Sequence, residues 1–277
     1  MAAVSHFGGT GEDPCWSFIP VARGSRPVRS SSTFAASRIT SHSSSSILVA
    51  WEDRPTDKRA YSFGDYADDL EQLRIILDVE RFSLFGTSRG GAVSIAYSVA
   101  YPNRVDRLIL CATRAGRFDT DEGERVKAIK IRSGEPWFPS AMQPYQRLST
   151  NQWETEEDLS QLVIRSMPLA FGHFGRPQAA TLEAGREAFS HPNGDLHREE
   201  EIPEPRDRLS DLEHIRAPTL VFQGTEDPLV PKRHGEEIAR RVRGARLVLL
   251  EGVGHSFPWV DGRDRMREEI VAFLSRT

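Results

Sequence analysis

Ser88 lies in the run Gly86-Thr87-Ser88-Arg89-Gly90, with a glycine two residues to each side. A serine hydroxyl is a weak nucleophile at neutral pH. It attacks when a base takes its proton and an acid orients that base. It must also stand clear of the surrounding backbone. A sharp strand-to-helix turn exposes it, but strains the serine and crowds the residues two before and two after. Glycine tolerates both conditions. The flanks suit such a turn: Phe82, Leu84 and Phe85 precede it as a short apolar run, and Ala92 to Tyr97 can continue as a buried helix. A glycine-rich turn can also serve only to pack a helix on a strand, so the chemical reading needs partners.

Two downstream stretches supply them. The run Thr219–Gln223 ends in Gly224-Thr225-Glu226-Asp227, and the run Arg246–Leu250 leads to Gly252-Val253-Gly254-His255. A loop leaving the end of a strand projects its side chains over the carboxyl edge of the sheet. The order serine, acid, histidine is the one expected after a strand-turn-helix nucleophile. The other seven histidines, at 6, 42, 173, 191, 197, 214 and 234, have no such strand-end setting.

These residues need a scaffold of alternating strands and helices. A helix is expected over 61–77, with Ser62 as its cap, Asp65 three residues on, and Tyr66, Leu70, Leu73 and Leu77 at helical spacing. Strands are expected at Phe82–Phe85, Arg107–Cys111, Thr219–Gln223 and Arg246–Leu250, and helices from about Gly90, at Lys232–Arg243 and at Asp264–Leu274. Short apolar runs alternating with helices imply an α/β fold, a mostly parallel sheet flanked by helices. Residues 115–207 break this rhythm. They hold one clear helix signal, with Thr155 as its cap, and the scattered aromatics Trp137, Phe138, Tyr145, Trp153, Phe171 and Phe174. They read as a helical insertion between core parts at 1–114 and 208–277.

Composition narrows the function classes. The 277 residues are 38% hydrophobic and 27% charged, as in an ordinary globular protein. A net charge of -4 does not favour a nucleic-acid partner. Cys15 and Cys111 are too few and too distant for a disulfide framework or a metal site, which points to a reducing, cytoplasmic compartment. The opening residues lack a signal-peptide pattern, and no apolar run is long enough to span a membrane.

The segments around 61–74, 85–91, 101–111, 217–231 and 247–257 together resemble the α/β-hydrolase fold superfamily, over nearly the whole chain. The resemblance implies Ser88 as nucleophile, Asp227 as acid in preference to Glu226, and His255 as base. It implies that the insertion is a helical cap, as in the branch containing proline iminopeptidases and related small esterases. It implies an oxyanion hole of two backbone N–H groups, from Arg89 and from Gly9 in the loop Phe7-Gly8-Gly9-Thr10-Gly11, with His6 as a further candidate there. In the cap, Trp153, Glu154 and Phe171 are the candidates for substrate contact, and Arg89 could pair with Glu154 or meet an acidic substrate. The expected activity is cleavage of a small carboxylic ester or amide, with no metal or organic cofactor implied. An aminopeptidase releasing N-terminal proline is the alternative, with Glu154, Glu156 and Glu157 available for a substrate ammonium. A non-catalytic or damaged relative is the other.

The resemblance fails at the N-terminal side. The hairpin that precedes the glycine loop in the family is missing, so this part reads as incomplete. Residues 21–46 replace a strand and turn with a serine-rich stretch, nine serines falling in positions 30–46. Such a composition buries little and is expected to be poorly ordered, leaving the sheet short of a strand beside Ile47–Trp51. Either an out-of-frame segment or a divergent loop would produce it.

Overall fold

The computed structural model describes residues 2–3, 39–41, 44–46, 62–184, 209–255 and 262–275. Among the described residues the main sheet has five strands. Ala2–Ala3 (β1) lies antiparallel to Phe82–Thr87 (β4), which pairs in parallel with Val105–Cys111 (β5). Thr219–Gly224 (β6) and Arg246–Leu250 (β7) continue the sheet in parallel, giving the order β1-β4-β5-β6-β7. Side chains along β4 to β7 alternate between two apolar layers. Leu84, Leu108, Leu110 and Val221 face one layer; Phe85, Ile109, Cys111, Leu220, Phe222, Val248 and Leu250 face the other.

Helices cover both faces. Phe63–Ile76 (α1), Arg89–Ala100 (α2) and Arg233–Arg241 (here α7) complete the first layer through Leu70, Leu73, Val93, Ile95, Tyr97 and Ile238. Arg263–Leu274 (here α8) closes the second with Met266, Ile270 and Phe273. The expected cap of α1 forms in full. Ser62 Oγ accepts from the Asp65 N–H at 3.1 Å, and the Asp65 carboxylate accepts from the Ser62 N–H at 3.1 Å. This satisfies two donors that a helix start otherwise leaves unpaired.

Between β5 and β6 the described elements are helical: Asp121–Lys130 (α3), Phe138–Ser149 (α4), Glu156–Ser166 (α5), the single 3-10 turn Met167–Ala170, Arg176–Ala184 (α6) and the 3-10 turn Asp211–His214. Thr155 caps α5 as expected, its hydroxyl accepting from the Asp158 N–H at 3.1 Å.

Within the serine-rich stretch, residues 39–41 and 44–46 are described. Ile39–Ser41 (β2) and Ser44–Ser46 (β3) pair as an antiparallel hairpin, with Thr40 opposite Ser45. The glycine loop with Gly9 and His6, Ile47–Trp51, and the connector before 208 lie outside the described residues.

The helical segment is tied to the core at His234, which is fully buried on α7. Its Nδ1 accepts from the Ala115 N–H at 3.2 Å, so Nε2 carries the proton and faces Asp121 Oδ1 at 3.1 Å. Asp121 also takes Arg233 and the Phe118 N–H. Burial holds the His234 pKa below its ordinary value and outweighs the adjacent Asp121 carboxylate. A histidine depressed in the folded state takes up its proton more readily when unfolded, so its contribution is present above the unfolded pKa of 6.5 and is lost as pH falls below it. Urea unfolding at pH 7 and pH 5 should therefore show a smaller acid loss of stability in His234→Gln than in the wild type, even though the variant starts lower at pH 7. An equal acid loss in both proteins would show that His234 does not carry this dependence.

Candidate active site

Ser88 occupies the junction of β4 and α2 with φ 50° and ψ −122°, outside the conformations that L-residues usually adopt. Its neighbours hold it there. The Ser88 N–H donates to the Cys111 carbonyl at 2.8 Å, extending the β4–β5 ladder by one residue before the chain turns. The reversal brings the helix start onto the strand end. A Cβ at Gly86 would stand 2.6 Å from Gly91 Cα and 2.7 Å from the Gly90 carbonyl oxygen. The glycine two residues before the serine is thus required by contact with backbone.

Loops at the ends of β6 and β7 bring the partners. His255 Nε2 lies 3.0 Å from Ser88 Oγ, and His255 Nδ1 lies 2.8 Å from Asp227 Oδ2. The Asp227 side chain is fully buried, and its carboxylate is well satisfied. Oδ1 accepts from the Leu229 N–H at 2.9 Å and the Val230 N–H at 2.8 Å, and Gln223 Nε2 approaches Oδ2 at 3.4 Å. Glu226, one residue earlier, is 37% exposed and faces Arg132 instead. With the Nδ1 proton donated to Asp227, Nε2 is free to accept from Ser88. This is the tautomer that lets the imidazole withdraw the serine proton.

The loop of His255 is built against the helical segment. The His255 N–H donates to the Ala170 carbonyl at 2.6 Å, and the Glu226 N–H donates to the Val253 carbonyl at 3.1 Å. A Cβ at Gly254 would stand 2.4 Å from the Ala170 carbonyl oxygen and 2.5 Å from the Gly172 nitrogen. Backbone therefore meets backbone where the 170–172 strap crosses the histidine loop.

The remaining candidates fall in different places. Arg89 opens α2, at the positive end of the helix dipole. Its guanidinium lies over the rings of Phe63 (5.1 Å) and Tyr66 (5.8 Å) of α1. Trp153 packs with Leu159 and Leu162 in the interior of the helical segment. Glu154 is exposed on that segment's surface, its N–H near Asp158. Phe171 is buried directly after Ala170, so it borders the histidine loop. Gly9 lies outside the described residues. Sequence reasoning passed over Arg132 and Gln223, which contact the acid loop. Neither has a distinguishing motif; a polar residue in a helix tail and a glutamine at a strand end carry no spacing signal.

A family model described as the alpha/beta hydrolase fold matches residues 48–261. The chain belongs to this family. Among curated proteins it is similar to the serine hydrolase BPHL of Homo sapiens, 24% identical over 76% of this chain and 63% of that protein. It is also similar to the rhodomycin D methylesterase DnrP of Streptomyces peucetius, 27% identical over 72% of this chain and 68% of that protein. The chain spans only 63–64% of the length of several curated relatives it matches. Among solved structures, the enol-lactonase of Burkholderia xenovorans LB400 superposes with a TM-score of 0.59 at 23% identity, covering 80% of this chain and 76% of that one. This likeness supports the hydrolase fold.

The crowding at Gly86 generates a prediction. Gly86→Ala should lower stability by about 1–3 kcal/mol, the usual range for overpacking, because the new methyl meets backbone that cannot move aside. The urea midpoint should fall at unchanged slope. A wild-type midpoint would mean that the strand and helix do not approach as closely as described.

Proposed function

We propose that the chain is a serine hydrolase that cleaves a small carboxylic ester or amide through an acyl-enzyme. The observation that carries this reading is the continuous hydrogen-bonded line Ser88 Oγ–His255 Nε2 and His255 Nδ1–Asp227 Oδ2, at 3.0 and 2.8 Å. Ser88 attacks the substrate carbonyl as its proton passes to His255. The tetrahedral oxyanion is stabilised by the Arg89 N–H and, from the glycine loop, the Gly9 N–H. His255 then protonates the leaving group, and the bond to that group breaks. In the second half, His255 takes a proton from water, which attacks the acyl-enzyme; the bond from the acyl carbon to Ser88 Oγ then breaks, His255 returns the proton to Ser88 Oγ, and the acid leaves. Asp227 keeps the imidazole in the required tautomer and stabilises it while it is protonated. We take the segment 115–207 as the cap that sets the acyl and leaving groups accepted, with Phe171, which borders the histidine loop, as a candidate for substrate contact. The likeness to the human serine hydrolase and the Streptomyces methylesterase supports the reaction class.

Three variants test the roles. Ser88→Ala should abolish labelling by a fluorophosphonate probe and lower turnover of p-nitrophenyl esters by on the order of 10⁶. Asp227→Asn should cost on the order of 10⁴ in turnover by presenting the wrong tautomer, while Glu226→Gln stays near wild type. Appreciable turnover by folded Ser88→Ala protein would refute the nucleophile assignment, and a crippling Glu226→Gln beside a mild Asp227→Asn would move the acid. A parallel panel of aminoacyl amides separates esterase from peptidase specificity.

A further inference from the structure

Arg132 stands just beyond α3, and its side chain is 3% exposed. A cation so deeply buried is costly unless its donors are met. Here they are met by backbone carbonyls from separate parts of the chain. Nε donates to the Phe171 carbonyl at 2.9 Å, Nη2 to the Glu226 carbonyl at 2.8 Å, and Nη1 to the Ala128 carbonyl. Nη2 also stands 3.7 Å from Glu226 Oε2. Burial lowers the guanidinium's pKa, and the carboxylates of Glu226 and Asp227 partly offset this.

The positions of those acceptors matter more than their number. Phe171 follows Ala170, whose carbonyl holds the His255 N–H. Glu226 precedes Asp227, whose carboxylate holds the His255 ring. One planar group therefore bonds to the strap behind the histidine and to the loop that carries the acid. A guanidinium suits this use, because its several donors are fixed relative to one another, unlike those of a flexible ammonium.

We propose that Arg132 is a positioning residue, a latch that holds the 170–172 strap and the Glu226–Asp227 loop at one separation and so keeps His255 and Asp227 aligned with Ser88. The inference rests on the reading of these three side chains as the reacting line. It assigns part of their geometry to a residue of the helical segment that touches none of them.

The test uses the full chain carrying Arg132→Ala and, separately, Arg132→Lys, with folding checked by circular dichroism and thermal melting. In Arg132→Ala, kcat for p-nitrophenyl esters should fall on the order of tenfold to 10²-fold with KM nearly unchanged, as expected for misplacement of reacting groups. Guanidinium at a sub-denaturing concentration should restore part of kcat, and sodium chloride at equal ionic strength should not. Arg132→Lys should lie between, since it keeps the charge but not the fork. Hydrogen exchange should quicken at the Glu226 and His255 amides and stay slow at 108–111. Wild-type kcat and exchange in a folded variant would overturn the latch, as would a loss confined to KM. If neither variant folds, Arg132 is a folding residue and the proposal fails. If the wild-type protein itself neither labels nor turns over, the hydrolase reading falls, and exchange at Glu226 and His255 still decides the latch.

Discussion

The arrangement depends on one geometric constraint: an oxygen, an imidazole and a carboxylate must meet within hydrogen-bond reach although they leave three different strands. Parallel pairing makes this possible. In a parallel sheet all the strands deliver their carboxyl ends to one edge, so the loops after β4, β6 and β7 open on the same side. An antiparallel partner would send alternate loops to the opposite edge. Among the described residues the antiparallel pairing in the main sheet, β1 with β4, uses only the outer side of β4 and leaves the parallel ladder from β4 to β7 unbroken. The two apolar layers hold the strands in register, because slippage by one residue would turn each of their side chains to the wrong layer.

Register alone places the loops coarsely. The finer fit comes from polar groups whose burial makes an unmet hydrogen bond expensive, about 1–3 kcal/mol for each group left without a partner. Asp227 is the plainest instance. The Leu229 and Val230 amides fill one of its oxygens, which leaves the other for His255. The strain at Ser88 is sustained in a similar way. Its N–H is committed to Cys111 before the chain turns, and the small residues around it allow the helix to begin at once.

The helical segment belongs to the same construction. It is joined to the core through His234 and Asp121 at its start and through Ala170 and His255 at its middle. At Gly254 the two backbones lie too close to admit a side chain between them. The helical segment thus also bounds the loop that carries His255.

The sequence by itself determined what depends on local pattern. The alternation of apolar runs and helical spacing specified the α/β fold, Ser62 and Thr155 specified helix starts, and glycine spacing marked the turn at Ser88. The order of strand-end residues singled out Asp227 and His255, because a loop after a parallel strand has only one edge to reach. The tertiary structure decided what depends on contacts between distant parts. Trp153 turned inward to the helical segment's own interior, and the Arg89 guanidinium settled on Phe63 and Tyr66. Aromatic type gives no direction for a side chain, and an arginine finds its partner only when another helix is placed beside it. Arg132 is the sharpest case. Nothing in its neighbours predicts a buried cation, because its partners are backbone carbonyls at 171 and 226, and a backbone carbonyl is the same at every residue.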